Sequence, residues 1–233
     1  MSDRLVRQRS LLKNTDLLKW KTVAVVGLGG VGGTAAAAVC RAGVGRIIIC
    51  DHDVFEVSNL NRQAFAFEST IGKRKTDAAE KYLKNICGDT EIIKLDMFLG
   101  EENLEEFFSL KPDFIIDAID TVTAKKMLVK ECVLRGVPVV SSMGTGNRLD
   151  PSKLRIGDIT DTVGKGCPLA KIMRKELLRD GIESFPVVYS EELPKRLSVG
   201  EEKGKHSPAS AVFVPQAAGL LLASYVIRRL CDE

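Results

Sequence analysis

A glycine-rich segment near the start of the chain could hold phosphate groups. The apolar residues 23–26 lead into Gly27-Leu-Gly-Gly-Val-Gly32, and a run of small residues then continues as a predicted helix. Glycines let the backbone approach a phosphate, and the N–H groups of a helix N-terminus point toward it. A second apolar strand ends in Asp51-His52-Asp53, near the spacing at which an acid meets a ribose hydroxyl. These features predict a nucleotide site formed by Gly27, Gly29, Gly30, Gly32, Asp51 and Asp53.

The residues that follow decide which nucleotide the site is expected to bind. The glycine pattern alone is most typical of an NAD or FAD site. Just past the acidic strand end, however, lies Asn59-Leu-Asn61-Arg62-Gln63, and Lys75 begins the next predicted helix. Arg62 can contact several phosphate oxygens at once, and Lys75 supplies a compact positive charge. Two such cations favour a triphosphate, so we predict ATP binding rather than hydride transfer.

A third apolar strand, residues 113–120, ends in another carboxylate. The carboxyl ends of parallel strands meet at one crevice of the sheet. Asp120 is therefore expected to hold Mg²⁺ against the same phosphates. Asp117 can equally be a structural acid at the end of the strand, and we assign the metal to Asp120.

Five motifs in this order resemble the ThiF/MoeB/HesA superfamily of adenylating enzymes, which are related to ubiquitin activation. The resemblance implies that Asp51, Asn61, Arg62, Lys75 and Asp120 bind Mg-ATP. A carboxylate would attack the α-phosphate and give an acyl-adenylate and pyrophosphate. The motifs are the glycine segment, Asp51-x-Asp53, residues 59–63, Gly72-x-x-Lys75 and Asp117-x-x-Asp120.

Five further segments lie in the second half of the chain, at residues 143–152, 158–161, 167–171, 187–192 and 213–219. Together they resemble one branch of that superfamily, the tRNA threonylcarbamoyladenosine dehydratases. The resemblance implies that the activated carboxylate belongs to the modified nucleoside of a tRNA and that ring closure then removes water. Two alternatives remain open: adenylation of a small sulfur-carrier or ubiquitin-like protein, and an NAD(P)-dependent oxidoreductase or non-catalytic nucleotide-binding module.

Three further expectations concern partners and covalent chemistry. Arg7-Gln8 is similar to the N-terminal pair of MoeB-like proteins, whose arginine reaches the ATP of the opposite subunit, which implies a homodimer. Arg4, Arg9 and a plain surface role for Arg7 compete with this interpretation. Cys167 suggests a thioester, but intramolecular ring closure needs no covalent carrier. With Pro168 after it, Cys167 is better explained as a helix start. A sulfur-delivery protein is a possible further partner.

The length and the order of elements predict a single domain with an α/β fold. We expect a Rossmann-like, mostly parallel sheet with helices on both faces and an elaborated C-terminal third. Residues 22–142 would form the nucleotide-binding core and residues 143–233 the substrate side. Residues 1–21 read as an N-terminal arm or helix with five leucines available for packing. The chain has 233 residues, of which 45% are hydrophobic.

Charge and composition set weaker bounds on the function. The net charge of +3 permits RNA binding without arguing for it. The basic residues between 165 and 179 suit either a tRNA backbone or a solvated helix face. Residues 212–227 are too short an apolar run for a membrane span and predict a buried helix. No C-x-x-C pair or signal peptide is visible, so we expect no zinc cysteines, no stable membrane association and a reducing cytoplasm. The polar stretch 200–208 is expected to be a loop or lid.

Overall fold

The computed structural model describes residues 4–195 and 208–231. Their strands form one seven-stranded sheet in the order β3-β2-β1-β4-β5-β7-β6. All neighbouring strands are parallel except β6, which runs antiparallel to β7. The strands are β1 (Thr22–Val26), β2 (Arg46–Cys50), β3 (Glu91–Leu95), β4 (Phe114–Asp117), β5 (Val139–Ser142), β6 (Leu154–Asp158) and β7 (Pro186–Ser190).

Helices cover both faces of this sheet, which confirms the predicted Rossmann-like α/β fold. Strand residues alternate between the two faces: Val23 and Val25 pack with α2 and α7, whereas Ala24 and Val26 pack with α4 and α5. A third apolar cluster joins α5 and α6 to β7. The helices are α1 (Val6–Arg9), α2 (Gly30–Ala42), α3 (Lys75–Ile86), α4 (Leu104–Ser109), α5 (Val122–Arg135), α6 (Pro168–Arg179) and α7 (Phe213–Leu230).

The C-terminal apolar run forms the buried helix α7, as predicted. It packs along α2, and Gly219 lies so close to the carbonyl of Val31 that a side chain there would collide with the backbone. Pro215 lies in the first turn of α7, where the backbone N–H has no intrahelical partner to lose. Within the described ranges, no helix combines the length and apolarity required to cross a bilayer.

The N-terminal arm consists of two short helical pieces. Asn14 adopts a left-handed conformation with φ of 55°, so the chain divides into the four-residue helix α1 and a short 3₁₀ segment, Thr15–Trp20. Leu18 is fully buried, but Leu11 and Leu17 are 89% and 43% exposed. The leucines available for packing are therefore buried to different extents, because a broken helix cannot present them on one face.

Three cysteines of the strands and helices lie in the core. Cys40, Cys50 and Cys132 are buried free thiols. Burial raises the pKa of the Cys50 thiol to about 12, so this group stays protonated at neutral pH. The lid or loop expected over residues 200–208 lies, apart from Pro208, outside the described residues.

Candidate nucleotide-binding site

The glycine loop forms where β1 ends against the turn after β4. Gly27 has a φ of 90°, which favours glycine, and a side chain there would lie 2.7 Å from the carbonyl oxygen of Ala118. The Gly27 N–H donates to the carbonyl of Cys50 at 2.8 Å. Helix α2 then begins at Gly30, so its free N–H groups open toward the C-terminal edge of the sheet. This arrangement suits an anionic ligand.

Asp51 holds the glycine loop from the neighbouring strand. Its Oδ2 accepts a hydrogen bond from the Leu28 N–H at 2.6 Å, and its Oδ1 accepts one from the Asp53 N–H at 2.8 Å. The side chain is buried, but each carboxylate oxygen can accept a further hydrogen bond. Asp51 can therefore shape the loop and still bind a ribose hydroxyl.

Backbone hydrogen bonds between residues 53–55 and residues 73–75 place Lys75 at the same crevice. The Phe55 N–H donates to the carbonyl of Lys73 at 3.0 Å, and the Lys75 N–H donates to that of Asp53 at 3.0 Å. The buried Lys75 Nζ lies 2.8 Å from an oxygen of Asp53 and 3.9 Å from one of Asp51. Burial of Asp53 opposes its ionisation, but the hydrogen bond and charge of Lys75 outweigh it and lower the pKa of this carboxyl.

The segment after β2 presents Arg62 at the mouth of the crevice. Arg62 Nη1 donates to the carbonyl of Ser58 at 2.8 Å and to Asn61 Oδ1 at 2.9 Å. Asn59 caps a short helical turn by accepting from the Glu56 N–H at 3.1 Å. Gln63 is buried, and its Oε1 has no hydrogen-bond partner among the described residues. An unpaired buried acceptor beside an open crevice suggests a partner supplied by water or a ligand.

The turn after β4 gives different surroundings to Asp117 and Asp120, the two acids that the sequence analysis compared as metal ligands. Asp117 is fully buried and pairs with Lys125 at 2.9 Å, which makes it a structural acid. Asp120 is exposed, and its carboxylate accepts only a long hydrogen bond of 3.4 Å from Thr121 Oγ1 among the described residues. Asp120 is therefore the acid with free oxygens at this edge.

One cavity of about 1310 Å³ connects these elements at the C-terminal edge of the sheet. It brings together most of the residues singled out from the sequence. They are Gly27, Gly29, Gly30, Asp51, Asp53, Asn59, Arg62, Gln63, Lys75 and Asp120.

Three of the expected site residues do not line the cavity. Gly32 lies in the first turn of α2, where a side chain would collide with the carbonyl of Gly27, so its contribution is close packing. Asn61 turns its amide toward the carbonyl of Ser210 at 2.8 Å. Arg7 is exposed near the C-terminal end of α2, whose 13 residues span roughly 20 Å from the glycine loop. Arg7 is thus remote from the site of its own chain.

Sequence reasoning missed the residues that follow β3. Met97, Phe98 and Leu99 line the cavity, and the ring of His52 meets Phe98 edge-on at 5.1 Å between centroids. The position of β3 beside β2 was the available signal, because the carboxyl ends of adjacent parallel strands share one crevice. These residues form an apolar wall next to Asp51.

Arg148 organises the other half of the cavity. Its guanidinium is 3% exposed and donates to the carbonyls of Gly144 at 2.7 Å, Gly146 at 3.1 Å and Glu192 at 2.9 Å. In return, the Glu192 carboxylate accepts from the N–H groups of Leu149 and Asp150. These reciprocal hydrogen bonds of Arg148 and Glu192, the Arg148 clamp, join the segments after β5 and β7. The sequence analysis assigned no individual role to either residue.

Cys167 lies at the start of α6, as its sequence context predicted. Its buried Sγ accepts from the Ala170 N–H at 3.4 Å, and Pro168 is the first helical residue. The thiol also lines the cavity. The geometry therefore supports a capping role and leaves a role in catalysis to be tested.

Comparison with known proteins decides the family. A model of the ThiF family matches residues 4–175. The chain belongs to the ThiF family. This ThiF-family protein is 41% identical over 230 residues to the tRNA threonylcarbamoyladenosine dehydratase of Bacillus subtilis, covering 94% of the chain and 90% of that relative.

Solved structures give the same grouping for this ThiF-family protein. The E. coli tRNA N6-threonylcarbamoyladenosine dehydratase TcdA in complex with AMP has a TM-score of 0.84 and 28% identity, covering 94% of this chain and 89% of that one. The same enzyme in complex with ATP has a TM-score of 0.84 and 27% identity, covering 94% and 88%. The resemblance to the dehydratase branch is confirmed.

Proposed function

We propose that this protein is a tRNA threonylcarbamoyladenosine dehydratase that uses ATP to activate the nucleoside's carboxylate and then closes it into a ring. The observation that carries the proposal is the single cavity in which the glycine loop, Asp51, Arg62 and Lys75 meet the substrate-side segments around Arg148. A nucleotide and a second substrate can therefore share one cavity. Such proximity is what transfer between them requires.

The first step joins the substrate carboxylate to the nucleotide. A carboxylate oxygen attacks the α-phosphorus of ATP, the bond to the β-phosphate oxygen breaks, and pyrophosphate leaves. The glycine loop and the start of α2 hold the phosphates, and Asp51 holds the ribose. Arg62 and Lys75 stabilise the charge that develops on pyrophosphate, a contribution that needs no side-chain nucleophile.

The second step needs only groups of the substrate itself. A nitrogen or oxygen of the threonylcarbamoyl group attacks the activated acyl carbon, a proton is lost, and AMP departs with the former carboxylate oxygen. The net change is loss of one water from the nucleoside. The Arg148 clamp would fix the walls around this part of the substrate.

The acids at the cavity also fit a magnesium ion. Mg²⁺ is usually held by one or two carboxylates together with substrate phosphates, and Asp120 offers free carboxylate oxygens. A second group of possible ligands is Asp51, His52 and Asp53, but Lys75 already lies 2.8 Å from Asp53 and His52 is not an oxygen ligand. We therefore assign the ion to Asp120, where it would act as a Lewis acid on the phosphates.

The proposed activity can be tested directly. Purified protein should be incubated with Mg-ATP and tRNA that carries open threonylcarbamoyladenosine, and its nucleosides then analysed by mass spectrometry. We expect a product one water lighter that forms only with ATP. No conversion, together with efficient adenylation of a ubiquitin-like or sulfur-carrier protein, would refute the tRNA substrate and leave the ATP site standing.

The active unit is proposed to be a homodimer in which Arg7 acts on the partner's site. Arg7 is exposed, remote from its own cavity, and has no hydrogen bond or ion pair with a described residue. Its neighbours are engaged: Arg4 donates to the carbonyl of Cys40, and Arg9 pairs with Asp16. Arg7 is therefore the arginine of the arm best placed to reach another subunit.

A mixed dimer tests the role of Arg7. Arg7→Ala and Lys75→Ala proteins should each be inactive alone, whereas a verified heterodimer should recover one intact site and up to half of the wild-type activity per dimer. Arg9→Ala serves as the matched control and should keep wild-type activity. Absence of recovery in confirmed heterodimers would show that Arg7 does not act across an interface.

Helix α6 offers a basic face for the tRNA backbone. Lys171 and Lys175 are exposed and one turn apart, whereas Arg174 is engaged with Thr162 Oγ1 and Arg179 pairs with Glu176 at 2.7 Å. Among the described residues, the positive charge on α6 that has no side-chain hydrogen-bond or ion-pair partner therefore belongs to Lys171 and Lys175. Contacts of this kind make tRNA affinity fall steeply as salt rises.

Reversing both charges should weaken tRNA binding without changing ATP binding. We expect Lys171→Glu with Lys175→Glu to lower tRNA affinity about tenfold or more at low salt and to flatten the salt dependence. Lys81→Glu with Lys84→Glu on α3 is the control for net charge. Equal loss in both double variants would show that α6 is not a specific contact.

Cys167→Ser should keep activity within a few-fold of wild type. Serine can still cap α6, and ring closure requires no covalent intermediate on the enzyme. The measurement is the rate of nucleoside conversion together with mass spectrometry of the protein during turnover. A trapped thioester on Cys167 and an inactive serine variant would instead support a sulfur-delivery partner, which otherwise stays a prediction.

A further inference from the structure

A completely buried ion pair lies beneath the turn that carries Asp120. Lys125 of α5 and Asp117 of β4 are both 0% exposed, and their charged atoms are 2.9 Å apart. Ser141 of β5 donates to the same Asp117 oxygen at 2.6 Å. The proposed mechanism uses none of these three groups. A buried pair of this kind often stabilises a protein no more than apolar residues of similar volume would, so stability alone is a weak reason for its presence.

The pair fixes both backbone groups of one residue, Ile119, and so holds two consecutive peptide units. Asp117 Oδ1 accepts a hydrogen bond from the Ile119 N–H at 3.0 Å, and Lys125 Nζ donates to the Ile119 carbonyl at 2.9 Å. Both backbone groups of Ile119 are thus fixed by the two charged side chains. Asp120 is the next residue along the chain.

The same turn also supports the glycine loop. The Ala118 N–H donates to the carbonyl of Val26 at 2.9 Å, and the Ala118 carbonyl faces Gly27. A change in the orientation of residues 118–120 would therefore alter both the position of the Asp120 carboxylate and the packing of Ala118 against the glycine loop.

We propose that Lys125 is a positioning residue that, together with Asp117, aims Asp120 at the metal and phosphates of bound ATP. This inference rests on the proposed function, because it assigns the ion to Asp120. Lys125 itself would not contact ATP or the metal ion. Its ammonium group acts by fixing the Ile119 carbonyl, as partners behind a metal ligand commonly do.

Two replacements and one control test the proposal. Lys125→Met removes the ammonium group with little change in volume. Lys125→Met combined with Asp117→Asn keeps an acceptor for the Ile119 N–H and leaves no buried charge unpaired. Lys126→Met is the control, since this neighbouring lysine pairs instead with Glu176 of α6 and with Asp180, which follows that helix. Two quantities are measured: hydrogen exchange of the Ile119 amide without nucleotide, and the Mg²⁺ concentration that half-saturates ATP turnover.

We expect faster exchange at Ile119 and an Mg²⁺ requirement raised about 10- to 100-fold in both Lys125 variants, with neither change in Lys126→Met. Wild-type exchange and an unchanged Mg²⁺ requirement would overturn the proposal, as would failure of both variants to fold. The exchange measurement needs no substrate. A failure of the proposed function would appear separately, as absence of ATP turnover in the wild-type protein.

Discussion

Replacing Lys75 with alanine should lower ATP-dependent turnover about 10²–10³-fold while the protein stays folded. The size of the loss follows from removing a preorganised charge aimed at the triphosphate. Lys75 is buried at the start of α3 and cannot be replaced by a mobile surface cation. Its removal also withdraws the charge that holds the Asp53 pKa down, so that pKa should rise in the variant.

Lys73→Ala provides a matched control for this loss. Lys73 is exposed two residues earlier in the same segment, and its side chain does not line the cavity. Steady-state rates of nucleoside conversion, with circular dichroism to check folding, should separate the two variants by two orders of magnitude or more, as expected from the same electrostatic argument. Similar rates would remove Lys75 from the proposed catalytic role.

Asp120→Asn should reduce turnover by a comparable factor of about 10²–10³. Asparagine keeps the size of the side chain but removes the negative charge that the cation requires. Because Asp120 is exposed and, within residues 4–195 and 208–231, its carboxylate makes only a long hydrogen bond to Thr121, the fold should tolerate the change. Raising Mg²⁺ should restore part of the rate.

Asp89→Asn is the corresponding control, because this exposed acid precedes β3 at the opposite edge of the sheet. It should behave as wild type. Near-normal activity of Asp120→Asn across a magnesium titration would contradict the metal assignment and return the choice to the group around Asp51.

Much of the fold was predictable because its signals are local. The glycine loop, the apolar strands 23–26 and 47–50, and the start of α6 at Pro168 are each encoded by a few neighbouring residues. The meeting of Asp51 and Asp120 in one cavity could also be predicted, because parallel strands end at one edge. Lys75 begins a helix instead of ending a strand, and its place beside them was expected from its motif.

Features that depend on distant contacts were not predictable in this way. The pairing of Lys125 with Asp117 depends on α5 returning across β4, and no residue pattern distinguishes this lysine from the half-buried Lys126 beside it. The clamp of Arg148 on Glu192 joins loops 44 residues apart. The break in the N-terminal arm at Asn14, where φ is 55°, was likewise not visible in the apolar content of that segment.

The packing of α7 has a consequence for how the protein comes into being. Its Pro215 touches Gly30 of the phosphate loop, and Gln216 donates to the Arg62 carbonyl at 3.3 Å. The last of the five nucleotide motifs ends at Asp120, whereas α7, the helix that packs against them, begins only at Phe213. At a synthesis rate of about 5–20 residues per second, the ribosome needs roughly 5–20 s to extend the chain from Asp120 to Phe213. A nascent chain should therefore remain unable to hold ATP until α7 has been made and has left the ribosome.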